Sequence, residues 1–385
     1  MKLKINRDKL ADIVARGVSG APKNSPAVLA NNARIVARGG TLYVASTDFQ
    51  MMVEASGECE MERPGAITVD AAKFKQTVDR LPKGVEVTLT IDDAKKDMIL
   101  KAGRSRVTFP TLAVEDWPAR DYKKDGAEFV LEGADLVRLF SHTTLALSPL
   151  PNSPLQGVFF HIRAREDRLA AVGTTGMVFI LATIPAPEGA EDMPDNGGRP
   201  GVTLSADTIN SVLKLFRSAE EVKVTVNDQA IFFQTETTHF CSSLLLGEYP
   251  NYATILSNPV EAKVVVARET CANAVALLEP FTDKEMGHRM QCAGSDEGFV
   301  LAVGSQTGGG VDVVEAQITG EFKAFGINSS WMKSVLGAFK SSSISLHPDV
   351  SKQRLLFLAE DEPNMIGAVG MMNIPTELAT GPKQG

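Results

Sequence analysis

Two amphipathic patterns recur three times along the chain, always in the same order. In the first, apolar residues stand four, seven and eight positions after a common origin at Asn6, Glu132 and Ala267. These positions hold Leu10, Ile13 and Val14; Leu136, Leu139 and Phe140; and Cys271, Ala274 and Val275. Residues at this spacing share one face of a helix, so each copy predicts a helix with one buried stripe.

The second pattern begins at Asp70, Ser205 and Asn328, which are residue types that accept hydrogen bonds from free N–H groups at a helix start. Apolar or small residues follow four, seven, eight and eleven positions later: Phe74, Thr77, Val78 and Leu81; Ile209, Val212, Leu213 and Phe216; Met332, Val335, Leu336 and Phe339. Each copy therefore predicts a second capped, amphipathic helix.

The spacing of the two patterns indicates three copies of one fold. The first origins lie 126 and 135 residues apart and the cap positions 135 and 123 apart, about a third of the 385-residue chain. This period is too long for a solenoid repeat and fits separate domains. We predict domains at 1–124, 125–256 and 257–385, the last with a C-terminal extension at 375–385.

Between the helices the chain alternates apolar and polar residues, as in "GVEVTLTID" and "EVKVTVND". Such runs separated by turn residues predict antiparallel strands, six to eight in each third. The predicted fold class is therefore α+β, with three repeated domains of two helices on antiparallel sheet. The segment "APEGAEDMPDNGGRPG" (186–201) predicts a long exposed loop within the middle third.

Composition changes this picture little. The chain is 44% hydrophobic and 22% charged, has no apolar run long enough to cross a membrane, and shows no secretory signal. These features predict a cytoplasmic protein without membrane partners. The four cysteines lack CxxC spacing, which argues against a zinc site and a disulfide framework.

The sequence offers no motif for catalysis. "GSQTGGG" lacks the Lys-Ser/Thr of a phosphate-binding loop and predicts a hairpin, and the five histidines lie far apart. We expect no catalytic residues, no metal and no cofactor. An enzyme assembled from distant residues between domains stays open as an alternative.

Charge distribution points to a different function. The chain has a net charge of −8, yet the polar faces of the capped helices carry mainly Lys and Arg. If three equivalent domains form a ring or arc, these faces share one positive surface, which would attract DNA phosphates without reading sequence.

Four stretches carry a resemblance to a known family: "ITVDAAKFKQTVDRLPKGVEV", "AGRSRVTFPTL", "GVFFHIRAREDRLAAVGTTG" and "GEYPNYATIL". In order and spacing the sequence resembles the bacterial DNA polymerase III β-subunit (sliding clamp) family over nearly its whole length. The resemblance implies a head-to-tail homodimer that closes a ring around double-stranded DNA, with helices lining the pore.

The same resemblance implies a non-enzymatic processivity factor. Its expected partners are the DNA polymerase III α subunit, the clamp loader and other proteins with clamp-binding motifs. A clamp-fold paralogue that acts as a scaffold or resistance form, without full replication function, is the alternative.

The expected sites fall into three sets. The DNA-binding set is Lys23, Lys73, Lys75, Arg80, Arg138, Lys214, Arg217, Lys333 and Lys340. The partner-peptide pocket carried over from the family is Leu155, Thr174, Gly176, Phe179, Pro250, Thr254, Ile255, Met371 and Met372. The dimer interface joins the strand with Val107 and Phe109 to the helix end near Leu277 and Leu278.

The sequence also departs from the family pattern around the pocket. "TTGMVF" replaces a segment that usually carries an acidic residue and a basic pair, Thr254 stands where an arginine is expected, and "GMMNI" replaces the usual ending. These departures predict a divergent clamp and leave open which peptide motif it prefers.

Overall fold

The computed structural model describes residues 1–22, 25–92, 97–118, 124–150, 153–256, 259–305 and 308–374. Each third of the chain contains two of the α-helices found among these residues. They are α1 Arg7–Gly17, α2 Ala71–Arg80, α3 Gly133–Phe140, α4 Ala206–Phe216, α5 Arg268–Leu278 and α6 Ser329–Ala338.

The first third of the described chain holds nine strands: β1 Lys2–Asn6, β2 Asn32–Arg38, β3 Thr41–Thr47, β4 Met51–Glu58, β5 Glu60–Arg63, β6 Gly65–Asp70, β7 Glu86–Ile91, β8 Met98–Ala102 and β9 Ser105–Phe109. The middle third holds eight: β10 Ala127–Leu131, β11 Gly157–Arg163, β12 Arg168–Thr174, β13 Val178–Pro185, β14 Gly201–Ser205, β15 Val222–Val226, β16 Ala230–Gln234 and β17 Thr238–Ser243.

The last third again holds nine among the described residues: β18 Lys263–Ala267, β19 Arg289–Ser295, β20 Gly298–Ser305, β21 Gly308–Val314, β22 Ala316–Thr319, β23 Phe325–Asn328, β24 Ser343–Asp349, β25 Arg354–Leu358 and β26 Met365–Met372. The expected six to eight strands were too few for the outer thirds. Short strands such as β5 and β22 carry little alternation and escape a search for periodicity.

The predicted apolar stripes are buried. All nine apolar residues of the first pattern are at most 4% exposed. In the second pattern, Thr77 and Leu213 are half-buried and the other ten residues are buried. The helix starts also agree with the sequence, since Asp70 accepts the Lys73 N–H at 2.8 Å and Asn328 accepts the Trp331 N–H at 3.0 Å.

Every strand pairing in the described chain is antiparallel, which confirms the α+β class. The chain divides into two compact units. One contains residues 1–137, 187–194 and 207–244, and the other contains 138–186, 195–206 and 245–385.

The sheets continue across the predicted domain boundaries. Within the first unit, β17 of the middle third pairs with β4 over five residues, from Thr238↔Ala55 to Ser242↔Met51. Within the second unit, β13 pairs with β26 from Val178↔Val369 to Ala182↔Met365. Neighbouring thirds are thus joined by backbone hydrogen bonds. The division into domains at 124/125 and 256/257 stays a prediction.

Candidate DNA-facing helices and partner cavity

The predicted DNA-binding cations are mostly exposed. Lys73, Lys75 and Arg80 lie on α2, and the rest of the helical set is Arg138 on α3, Lys214 on α4 and Lys333 on α6. Lys75 is half-buried and the other five are exposed. Lys23 lies outside the described residues. The helices therefore present cations to solvent while their opposite faces enter the core.

Lys340 lies beyond the end of its helix, which corrects the expectation that it shares a helix face with Lys333. Helix α6 ends at Ala338, and Phe339 leaves it with an extended backbone, φ −84° and ψ 148°. Lys340 therefore cannot share a helical face with Lys333. Its N–H donates to the Glu362 carboxylate at 2.9 Å and 3.0 Å. Arg217 directly follows Phe216, the last residue of α4, and its N–H still donates to the Leu213 carbonyl at 3.3 Å, so it stays at the helix end.

Several of these cations contact carboxylates of the same chain. Lys75 Nζ lies 2.5 Å from Asp79 Oδ2 on α2, and Lys333 Nζ lies 2.7 Å from Glu279 Oε2 in the turn after α5. The hydrogen bond from Lys333 lowers the pKa of Glu279, and the Ser330 hydroxyl adds to this. Exposed ion pairs of this kind contribute only about 0–1 kcal/mol, so a phosphate can compete for the cation.

Glu279 could not be found from sequence because it comes from the other predicted helix of the same third. The turn Glu279–Phe281 directly continues α5. The two helices of one third pack side by side, so a carboxylate at the end of α5 reaches the polar face of α6. Only the packing of α5 on α6 brings the two charges together.

The second site is a cavity of about 410 Å³ in the second unit. Five of the nine predicted pocket residues line it: Gly176, Phe179, Thr254, Ile255 and Met371. The lining also contains seven residues that were not predicted: Met177, Lys352, Gln353, Arg354, Ala368, Val369 and Gly370. Most of the wall is therefore apolar, with a polar rim at 352–354.

Four predicted pocket residues do not line the cavity. Met372 follows Met371 on β26 and points to the other face of the sheet. There its side chain packs on Gly287, where an added Cβ would lie 3.1 Å from Met372 Cε. Leu155 packs against a buried cluster that contains Phe159, Tyr249 and Tyr252, and Pro250 is exposed. Thr174 supports the cavity indirectly, because its hydroxyl donates to the Val178 carbonyl at 2.7 Å across the Gly176–Met177 turn.

Strand register explains the lining residues that were not predicted. Arg354 on β25 pairs with Gly370 on β26, and β26 pairs with β13, so distant segments meet at one place. At Gly370 the strand accommodates Met177, because a Cβ there would lie 2.6 Å from Met177 Cε. Periodicity alone does not reveal the partner of a strand, so these neighbours could not be read from sequence.

Arg354 fixes one side of the cavity. It is 6% exposed, and its guanidinium donates to the Thr254 carbonyl at 3.3 Å and to the Ile255 carbonyl. Its Nη2 also donates to Asp349 Oδ2 at 3.4 Å. A buried arginine with both carboxylate and carbonyl acceptors holds the Thr254–Ile255 wall in place.

An aromatic cluster lies beneath the cavity. Tyr252 packs on Phe179 with ring centroids 5.4 Å apart, and its hydroxyl is 2.6 Å from His161 Nε2. Burial lowers the pKa of His161 to about 4, and burial raises the pKa of Tyr252 to about 12. Both groups are therefore neutral near pH 7, and their hydrogen bond joins two uncharged side chains.

The predicted interface residues differ in exposure. Phe109 is buried against Phe74, with ring centroids 5.7 Å apart, and Leu278 is also buried in the core of its unit. These two side chains therefore offer no apolar surface to another subunit, which corrects the predicted set. Leu277 is 63% exposed and Val107 is part-exposed. Val107 lies on β9, an edge strand of its five-stranded sheet.

The described part of the chain shows no metal-binding cluster. No group of three or more His, Cys, Asp or Glu there could hold a metal ion, and the four cysteines are free thiols. A polar cavity of about 440 Å³ near Lys4, Cys59 and Glu86 contains none of the predicted site residues. None of the described helices is long and apolar enough to span a bilayer.

Known proteins with the same architecture and sequence pattern are sliding clamps. Residues 1–121 match the family model for the DNA polymerase III beta subunit, N-terminal domain. The beta sliding clamp of Caulobacter vibrioides is 27% identical over 342 residues, covering 88% of this chain and 90% of the relative. That of Escherichia coli K12 is 24% identical over 354 residues, covering 90% and 92%.

Solved structures agree. A sliding clamp from Bartonella birtlesii bound to griselimycin has a TM-score of 0.89 at 22% identity, covering 97% of this chain and 100% of that one. A clamp from Caulobacter crescentus has a TM-score of 0.89 at 23% identity with the same coverage. The structural likeness gives the class, a protein with the sliding-clamp fold.

In sequence and in fold the chain is similar to the β subunits of bacterial DNA polymerase III, the β sliding clamps. Its function is that of a DNA sliding clamp, a processivity factor and not an enzyme. The comparisons do not favour a paralogue that has lost the replication function.

Proposed function

We propose that two copies of this chain close head to tail around duplex DNA, with α2, α4 and α6 of both copies facing the duplex. The observation that carries this proposal is the repeated set of exposed cations, Lys73, Arg80, Lys214 and Lys333, in a chain of net charge −8. Such contacts with phosphates carry no sequence information, as a ring that slides requires.

The open sheet edges support closure by two subunits. Among the described strands, β9 ends one sheet and β21 lies at an end of another, so each has an edge that no other described strand pairs with. Exposed Arg104 and Arg106 lie beside and on β9, whereas acidic Asp312 and Glu315 lie on or beside β21. Antiparallel pairing of β9 with the partner's β21 would join opposite charges and cover Leu277. This is a head-to-tail contact that closes only when the rotation fits.

The partner cavity would take apolar side chains from a peptide of the polymerase α subunit, the clamp loader or another protein with a clamp-binding motif. Met177, Phe179, Ile255 and Met371 offer an adaptable apolar wall. Exposed Lys352 at the rim favours partners with an acidic residue beside the apolar one. A ring that holds DNA and a polymerase together raises the local concentration of polymerase at the primer end. As a replication factor, the protein would act in the cytoplasm.

The test compares retention on circular and linear DNA. The protein should sediment as a dimer of twice 41.2 kDa. After loading, it should stay on nicked circular DNA and leave the same DNA once it is linearised.

Leu277→Asp tests whether retention depends on a closed ring. A charge at the proposed subunit interface should open the ring and abolish retention on the circle. The neighbouring exposed Ala276 offers the matched variant Ala276→Asp, which tests whether any new charge on α5 has this effect. Equal retention on circular and linear DNA would rule out encirclement.

A further inference from the structure

A short hairpin in the middle third is held by two glycines. Gly197 and Gly198 have φ of +65° and +80°, a backbone region that suits glycine, and the Asn196 N–H donates to the Arg199 carbonyl at 2.9 Å. The segment was expected to be an exposed loop, yet Asn196 and Arg199 are half-buried. The tight reversal places both side chains against one neighbouring segment.

That segment is the link at 247–256. The Asn196 side chain donates to the Gly247 carbonyl at 3.2 Å and accepts the Tyr249 N–H at 2.8 Å. The Arg199 guanidinium donates to the Tyr249 carbonyl and, at 3.4 Å, to the Pro250 carbonyl. Two side chains thus satisfy four backbone groups of a segment that belongs to neither helix nor strand.

Arg199 also joins the aromatic cluster beneath the cavity. Its guanidinium lies 4.9 Å from the Phe159 ring centroid and 6.0 Å from that of Tyr252. Phe159 stacks on Tyr249 with centroids 4.8 Å apart, and Tyr249 is fully buried. The start of the link is therefore fixed by hydrogen bonds, a cation–π contact and stacking.

The same link forms the cavity wall a few residues later. The Ile255 N–H donates to the Tyr252 carbonyl at 2.9 Å, and Thr254 and Ile255 line the cavity. Arg354 binds the carbonyls of these two residues from the other side. The wall thus lies between two arginines, of which only Arg354 lines the cavity.

We propose that Asn196 and Arg199 are positioning residues for the partner cavity, which hold the link so that Thr254 and Ile255 are in place before a peptide arrives. The inference rests on the proposed peptide-binding role of the cavity. Without the hairpin contacts the wall would populate other conformations, and the apparent affinity would fall in proportion to the competent fraction.

The experiment uses the full chain and a fluorescent synthetic peptide with the glutamine-and-leucine motif of clamp partners. Arg199→Ala should weaken binding about tenfold through slower association, with dissociation nearly unchanged, because fewer molecules have the wall formed. Ile255→Ala removes a wall side chain and should instead speed dissociation. Arg199→Lys should recover part of the loss, since an ammonium still donates to a carbonyl.

Hydrogen exchange supplies the second readout. Arg199→Ala and Asn196→Ala should speed amide exchange within 247–256 and leave the sheet strands unchanged. Met372→Ala is the matched control: this side chain is near the cavity in sequence but faces away, so neither binding nor exchange at the link should change.

The inference is overturned if Arg199→Ala binds the peptide at the wild-type association rate. It is also overturned if amide exchange becomes faster throughout the chain. If the wild-type chain does not bind the peptide at all, the cavity is not a site for the glutamine-and-leucine motif. The exchange measurement then reports separately whether the hairpin holds the link.

Discussion

The proposed partner cavity and the proposed DNA-facing helices are built in opposite ways. The cavity wall is held by buried groups, with Arg354 and Asp349 both nearly inaccessible and the link fixed at both ends. On the helices, Lys73, Lys75 and Lys333 are in exposed or half-exposed pairs with carboxylates of the same chain. The cavity wall is ordered before a ligand binds, whereas the helix cations can exchange their carboxylate partners for other anions.

The difference follows from what each surface must do. A peptide is recognised by shape, so a wall ordered before binding avoids an entropic cost at the moment of binding. Duplex DNA must move through a ring, so contacts that are individually weak and easily exchanged are suitable. Burial should therefore make the cavity sensitive to core substitutions and pH, and exposure should make the helices sensitive to salt.

The largest effect is expected from Arg354→Ala. Removing this arginine leaves the Asp349 carboxylate, which is 3% exposed, without the guanidinium at 3.4 Å. Loss of one partner of a buried ion pair costs about 3 kcal/mol or more. The urea midpoint of unfolding should fall, and peptide binding should weaken as the Thr254–Ile255 wall loses its hydrogen bonds.

Lys352→Ala is the matched control for Arg354→Ala. Lys352 Nζ lies 4.0 Å from the same carboxylate, but its side chain is 52% exposed. Its removal should cost less than about 1 kcal/mol. Equal shifts in the urea midpoint for the two variants would contradict the idea that burial separates the two cations.

An intermediate effect is expected from acid. Burial lowers the pKa of His161 to about 4, so between that pH and its ordinary value of 6.5 only the unfolded chain binds the proton. Stability from this group is complete above pH 6.5 and is lost as the pH falls towards 4. A shift of this size corresponds to about 3 kcal/mol.

The check for this prediction is urea unfolding of the wild type and His161→Gln between pH 7 and 4. The variant should lose less stability over this range than the wild type, because it lacks the group that takes up the proton. His142, His239 and His347 also have lowered pKa values from burial and remain in both proteins. Parallel curves for the two proteins would show that His161 does not contribute.

The smallest effect is expected on the DNA side. Log affinity falls with log salt, and Lys333→Glu should make this negative slope shallower by about 0.9 for each phosphate that is no longer neutralised. The protein should stay folded. Glu279→Gln removes the carboxylate 2.7 Å from Lys333 and should raise affinity about twofold, consistent with the small contribution of an exposed pair.

Binding of a short DNA duplex at several KCl concentrations measures both changes. Lys352→Glu makes the same change of charge at the cavity rim and should leave the salt slope unchanged. A slope that responds equally to Lys333→Glu and Lys352→Glu would mean that net charge alone, and not the α6 position, governs DNA binding.

The helices were predictable from sequence because the spacing of their buried residues repeats in each third of the chain. Leu10, Leu136 and Cys271 occupy equivalent positions and all three are fully buried. Helix ends were less predictable. Phe339 continues the apolar spacing of α6 and is buried, yet its backbone is already extended, so spacing could not reveal that Lys340 lies outside the helix.

The cavity was predicted in part, since the resemblance supplied Gly176, Phe179, Thr254, Ile255 and Met371 but not the other seven lining residues. Arg354 and Met177 join through strand pairing, and Met372 was misplaced because successive strand residues point to opposite faces. The positioning contacts of Arg199 connect segments about 50 residues apart. No local pattern encodes such a contact, so only the folded chain shows it.

The continuity of the sheets has a mechanical consequence for a ring made of two such chains. At β4–β17 and β13–β26, several backbone hydrogen bonds would have to break together before the thirds could separate. The proposed junction of β9 with the β21 strand of a second copy would have no covalent connection behind it. A protein that opens the ring to admit DNA would therefore act at that junction and leave each chain folded.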